Sequence, residues 1–197
     1  MQSNLSLKRG SKLSTRQLTI IGMLSAISMI LGMTPLGFIR LPFMDATIMH
    51  VPVIIGAILE GPIVGSLVGL IFGIFSMIRA FSNPSPTAFM FMNPIIAVIP
   101  RVLIGLGSYY IYYLIKIKST NIRIGISAII GSLINTIGVL GLAYLIYGNR
   151  LAEVMHLTKR GVGISFLTIA GTNGVPESII AAVVTIPVVI ALKKILK

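Results

Sequence analysis

Cysteine and tryptophan are absent from this 197-residue chain, and acids are scarce, with four Asp and Glu against 16 Lys and Arg. Without cysteine there is no disulfide framework, no thiolate metal site and no thiol nucleophile. Without tryptophan, any aromatic belt at a membrane interface falls to Tyr and Phe. The two histidines, His50 and His156, do not form the i, i+4 pair of a helical zinc motif. Neither a Gly-x-Ser-x-Gly nucleophile elbow nor a Gly-x-x-x-x-Gly-Lys-Ser/Thr phosphate loop occurs. Catalysis finds little support in such a sequence. Any use of ATP would need another subunit, and no cofactor is implied.

What is abundant is apolar sequence. Mean hydropathy is +1.00, and the 26 residues between Arg123 and Arg150 carry no charge. A bilayer core about 30 Å thick needs about 20 apolar residues per helix. That stretch is long enough, and several others approach it. The chain reads as a polytopic protein of the lipid bilayer. Its net charge of +12 invites a nucleic-acid partner. The basic residues instead lie at the ends of apolar segments, where membrane topology needs them, so no nucleic-acid partner is expected. A basic N-terminal stretch precedes Leu18–Met33, but no small-residue cleavage site closes it. It is read as a first transmembrane helix that stays.

The expected fold is all-α, one integral-membrane domain over 1–197 with six spans, at about 17–34, 47–59, 63–78, 89–115, 124–147 and 175–192. Glu60-Gly61-Pro62 marks a tight turn between the second and third. Asn93-Pro94 and Pro100-Arg101 predict a fourth span broken near its start. Loops fall at 35–46, 79–88 (with Asn83-Pro84-Ser85-Pro86) and 148–172. With the termini inside, Lys8, Arg9, Lys12, Arg16, Lys116, Lys118, Arg123, Lys193, Lys194 and Lys197 face the cytoplasm. Arg40, Arg79, Arg150, Lys159 and Arg160 then lie outside. Ten against five favours cytoplasmic N and C termini. The three longer loops share the outer side, as a capture function would require.

Small residues mark helix contacts, because lipid tails are as apolar as Leu and close backbone approach drives packing. Gly61, Gly65, Gly69 and Gly73 line one face of the third span. They are expected to pack inside the bundle. Gly22 and Ala26 form a small-xxx-small pair on the first span, suited to the bundle or to a partner protein.

Polar groups in apolar sequence are costly and commonly functional. Glu177, after Asn173-Gly174-Val175-Pro176, would cap the sixth helix, bind a ligand, or pair with Arg101 or Arg79. Arg101 would snorkel, pair with an acid or anchor an anion. Asn93 and Asn135 stand in apolar sequence, and Asn135 suits an interhelical hydrogen bond. Asp45, Thr47 and His50 flank the outer end of the second helix, as caps or ligand contacts. Tyr144 and Tyr147 read as interface anchors or as ligand-stacking groups.

The run from His50 to Gly73, HVPVIIGAILEGPIVGSLVGLIFG, resembles the second and third helices of the substrate-binding (S) components of energy-coupling factor (ECF) transporters. Asn93-Pro94 and Pro100-Arg101-Val-Leu-Ile-Gly105 resemble the fourth. The resemblance extends over essentially the whole chain. It implies a high-affinity capture subunit of an ABC-type importer in a prokaryotic cell membrane. Such a subunit binds a vitamin on its outer side. It delivers the vitamin by toppling, driven by a transmembrane coupling protein and two ATP-binding subunits. Gly22 and Ala26 match the family's Ala-xxx-Ala contact with the coupling protein, with Gly in place of the commoner Ala. The binding site would draw on the outer loops and helix ends: Asp45, His50, Arg79, Asn83, Asn93, Arg101, Asn135, Tyr144, Asn173 and Glu177. The basic Arg79 and Arg101, and the His-x-Pro-Val-Ile-Ile-Gly pattern, lead to pantothenate. Riboflavin, cobalamin and folate stay open, as does a ligand-free membrane scaffold with a filled, apolar interior. An intramembrane enzyme would have to rely on Glu177 with His50 or His156.

Overall fold

Ser14 opens the first helix with a reciprocal cap. Its Oγ accepts the Gln17 N–H at 3.2 Å, and Gln17 Oε1 accepts the Ser14 N–H at 3.1 Å. From there the computed structural model, which describes residues 13–41, 44–82 and 87–195, runs through seven α-helices and one short hairpin. Helix α1 (Thr15–Met33) leads by a 3₁₀ turn at Pro35–Gly37 into strands β1 (Phe38–Leu41) and β2 (Met44–Thr47). Next come α2 (Val51–Glu60), α3 (Pro62–Ser82), α4 (Pro94–Leu114), α5 (Thr120–Val154), α6 (Lys159–Ile169) and α7 (Val175–Ile195). The hairpin is antiparallel, with Phe38 opposite Thr47 and Arg40 opposite Asp45.

The glycines of α3 set the packing. A Cβ on Gly69 would strike the Arg101 carbonyl of α4, and one on Gly73 would meet the Ala97 carbonyl at 2.7 Å. A Cβ on Gly105 of α4 would meet the backbone of Gly65 and Ser66. The two helix backbones therefore touch, as small-residue faces permit. Gly61, at φ +102, turns the chain between α2 and α3 in a region that side chains resist.

Helix α2 has ten residues, about 15 Å, half a hydrocarbon core. It does not span alone. Val51 to Ile58 are all buried, so it is enclosed by its neighbours and needs no lipid-facing side. Five other helical segments are long and apolar enough to cross a membrane. The all-α architecture thus holds for the bundle, and the hairpin occupies part of the expected 35–46 loop.

Three further expectations are corrected. Arg79 lies in the last turn of α3 rather than in a loop. The fourth span is broken near its start as expected, by a 3₁₀ turn at Ala88–Met90 ahead of Asn93, but not at Pro100, through which α4 runs unbroken. The 148–172 loop is mostly helical. Helix α5 kinks at Tyr147 (φ −121°, ψ 15°) and continues to Val154. Helix α6 then joins α7 through a π-helical turn at Ala170–Gly174. Leu151, Val162 and Phe166 hold these segments together in a second apolar cluster with Met90, Ile96, Val139 and Ala143.

Candidate functional site

Beneath the hairpin lies a cavity of about 260 Å³. Segments from β2 through α7 build it. The end of β2 and the turn before α2 supply Thr47, Met49 and His50, while α3 and the turn before α4 supply Phe72 and Phe91. Arg101 enters from α4, and Asn135, Thr136, Val139 and Leu140 from α5. Ile169, Asn173 and Glu177 come from the region where α6 passes into α7. A second cavity of about 300 Å³ adjoins it, lined by Ser76, Arg79 and Thr87 among others. Met49, Phe72, Phe91 and Arg101 border both.

The polar lining is unusual in what it lacks. Buried polar groups are normally hydrogen-bonded, and each exception calls for an explanation. Here His50 Nε2, Arg101 Nε and Asn135 Oδ1 are all buried without a hydrogen-bond partner among the described residues. His50 is 1 % exposed and Arg101 6 %. His50 occupies the N-cap position of α2 yet makes no capping bond, so the capping role expected of it is not what holds it there. Asn135 makes no interhelical hydrogen bond among the described residues, contrary to expectation; it lines the cavity, and its Oδ1 is buried without a partner.

Arg101 is fixed on three sides. Its Nη1 donates to the Ile96 carbonyl at 2.9 Å. Its guanidinium carbon lies 5.6 Å from the Phe72 ring centre and 5.3 Å from that of Phe91, close enough for cation–π attraction. No carboxylate among the described residues pairs with it, since the one ion pair there joins Arg16 to Glu60 at 2.7 Å. A cation held in this way, with its remaining edge on a cavity, suits an anionic ligand.

Glu177 serves the architecture and the cavity together. Its Oε1 accepts the Thr47 N–H at 2.7 Å and the Thr47 hydroxyl at 2.8 Å, which latches the hairpin onto α7. The expected pairing with Arg101 or Arg79 is not made. Nor does Glu177 begin an isolated helix, because the π turn carries α6 into α7 without a break. Arg79 donates Nη1 to the Gly32 carbonyl, tying the far ends of α3 and α1 together, and reaches only the adjoining cavity.

Two expected residues stand elsewhere. Asn93 caps α4 by accepting the Ile95 N–H at 2.9 Å, and its amide donates to the Tyr147 hydroxyl at 3.3 Å. It therefore props the kink in α5. Tyr144 sits against Gly148 and Gly163 in an apolar groove between α5 and α6. Of Asp45 only the backbone pairing is described; its side chain and all of Asn83 lie outside the described residues. Phe72, Phe91, Met49 and Thr136 are lining residues that the sequence did not single out. The periodicity of Gly65, Gly69 and Gly73 was the available signal for Phe72, which neighbours that face.

Gly22 and Ala26 of α1 are both exposed, and a Cβ on Gly22 would meet nothing within 4 Å. Helix α1 buries Ile21, Ser25, Ser28 and Gly32 instead. The small pair is thus left open on the outside of the bundle.

This arrangement, a helical bundle around a polar cavity under a small hairpin, has known relatives. A solved S component of a bacterial ECF transporter superposes with a TM-score of 0.52 at 22 % identity, over 92 % of this chain and 95 % of that one. The pantothenic acid transporter PanT of Lactococcus lactis subsp. cremoris is 33 % identical over 162 residues, 75 % of this chain and 78 % of the relative. The pantothenate transporter PanT of Leuconostoc mesenteroides is 36 % identical over 115 residues, 55 % of each chain. The family model for the substrate-specific component of ECF transporters matches residues 16–189, nearly the entire bundle. A multi-pass protein of a bacterial cell membrane, the chain belongs to the family of ECF transporter S components, a transport family and not an enzyme class.

Proposed function

We propose that this S component captures pantothenate. The observation that carries the reading is the Arg101 guanidinium, buried without a carboxylate partner among the described residues, on a cavity where His50 and Asn135 also leave polar atoms unused. Pantothenate combines one carboxylate with an amide and two hydroxyls. Arg101 suits the carboxylate, and Asn135, Asn173, His50 and Glu177 suit the remainder. The volume of about 260 Å³ lies near the lower end of ligand sites, ~300–1,000 Å³. It favours a small vitamin over cobalamin, and the relatives named for pantothenate agree. The convergence of His50, Arg101, Asn135, Asn173 and Glu177 on one cavity also argues against a ligand-free scaffold.

The distribution of basic residues supports cytoplasmic termini. Arg16, Lys116, Lys118, Arg123, Lys193 and Lys194 gather at the bundle end away from the hairpin, where Lys193 donates to the Tyr112 hydroxyl at 2.7 Å. The cavity then opens toward the outside. Calorimetric titration of pantothenate into the purified, detergent-solubilised protein tests the cargo, after mass spectrometry of small molecules released by denaturation. Stoichiometric binding is expected, and absence of binding to ligand-free protein overturns the assignment.

Energy would come from a coupling protein with two ATP-binding subunits, docked at Gly22 and Ala26. Their open placement on α1 supports the contact. Gly22→Leu or Ala26→Leu is therefore expected to cut uptake into cells several-fold while titrated affinity for the vitamin stays unchanged. Normal uptake in both variants would remove this face from the coupling contact.

A further inference from the structure

Pro100 sits inside α4, where a proline removes a backbone donor. In a regular helix the N–H of residue 100 would go to the carbonyl of residue 96. Ile96 is fully buried, so its carbonyl has no water to turn to. Instead it accepts Nη1 of Arg101, the residue next to the proline. The same guanidinium is held between Phe72 and Phe91 at the cavity wall, and its Nε is buried without a partner among the described residues. The proline ring is in turn fixed from α5, where a Cβ on Gly138 would come within 3.0 Å of Pro100 Cβ.

We infer that Pro100 is a positioning residue for ligand recognition: by withholding its N–H, it leaves the Ile96 carbonyl to hold the Arg101 guanidinium in one orientation toward the cavity. The inference rests on the reading of that cavity as an anion site. Its logic is geometric. A guanidinium carries its donors in a rigid fork, so one edge held by a carbonyl directs the others. A long side chain without such a tether would have to be ordered by the ligand itself, at a cost in affinity. Pro100 touches no ligand in this account. It sets the direction from which Arg101 does.

Pro100→Ala restores the N–H and keeps the Cβ that packs on Gly138. Alanine also favours the helix, so loss of fold does not confound the test. In the full chain in detergent, the variant is expected to bind pantothenate about tenfold more weakly. Its affinity for pantothenol, the neutral alcohol analogue, is expected to change less than about twofold, because only the interaction with charge is lost. Equal losses for both compounds, or no loss for either, overturn the proposal. Wild-type protein that binds no pantothenate would overturn the cargo assignment alone. The positioning role is then decided by nitrogen-15 spectra of the arginine side chains without ligand. In the wild type Arg101 should show slow guanidinium rotation, its signals identified by their loss in Arg101→Lys. Pro100→Ala should average them, and slow rotation retained in that variant overturns the inference.

Discussion

Gly69→Leu is expected to abolish vitamin binding and to lower the thermal midpoint in detergent by more than any lipid-facing glycine substitution. The reason lies in the direct contact of two backbones. Any side chain at 69 is driven into the carbonyl of Arg101, an atom that cannot move unless α4 moves. Overpacking of a tight core costs about 1–3 kcal/mol even when flexible side chains can yield. Here the obstacle is backbone, so the cost should exceed ~3 kcal/mol. Displacing α4 also carries the Arg101 guanidinium away from Phe72, whose ring comes from the same face of α3. Stability and binding are thus lost together. Gly141→Leu is the matched control: a Cβ there meets nothing within 4 Å, and the change should fall within about 0.5 kcal/mol. A midpoint for Gly69→Leu equal to that of the control would show that α3 and α4 do not pack as described.

Arg101→Ala has the largest effect on affinity expected of a single ligand-facing side chain. A hydrogen bond to a charged group contributes roughly 1.5–3 kcal/mol, and each 1.4 kcal/mol is about tenfold in binding. Titration of pantothenate should therefore show a loss of about 10- to 100-fold. The variant also strands the buried Ile96 carbonyl, a cost of about 1–3 kcal/mol to folding. Stability should fall as well, and the two losses are separable. Arg101→Lys keeps a cation but not the fork that reaches carbonyl and ligand at once. It should recover part of the affinity and little of the packing between Phe72 and Phe91. Unchanged affinity in Arg101→Ala would return this residue to a purely structural role.

Parts of this architecture are legible in the sequence for simple reasons. A charge-free run of 26 residues has few soluble uses, and Glu60-Gly61-Pro62 can hardly be anything but a turn. Polar residues in apolar sequence stand out by contrast, which makes His50, Arg101, Asn135, Asn173 and Glu177, all lining the cavity, legible from sequence. The same contrast hides Phe72, Phe91 and Met49, since an apolar cavity wall looks like any other apolar residue here. Asn93 and Tyr144 stand apart from that cavity because a polar group beside a cap or a kink braces its own helix as readily as it reaches a ligand. The 148–172 stretch misled for a different reason. Gly148, Asn149 and Ala170-Gly-Thr-Asn-Gly174 have the composition of turns, yet packing of Leu151, Val162 and Phe166 keeps the chain helical, and a π turn absorbs the rest. Tertiary contacts overrode local preference at both places.

The unbroken passage from α6 into α7 has a mechanical consequence. The helical segment from Lys159 to Ile195 contains 37 residues, over 50 Å of contour at about 1.5 Å per residue, and α5 runs about 42 Å from Thr120 before it kinks at Tyr147. The hydrocarbon layer is about 30 Å thick. Upright, both rods overshoot it, and Leu145 and Leu167 are among the apolar side chains left bare along them. A helix too long for its bilayer tilts, or thickens the lipid around it. Both of the longest elements therefore exceed what one straight crossing needs, and each carries a departure from regular helix, the kink at Tyr147 and the π turn at Ala170–Gly174, where the excess length can bend out of the layer.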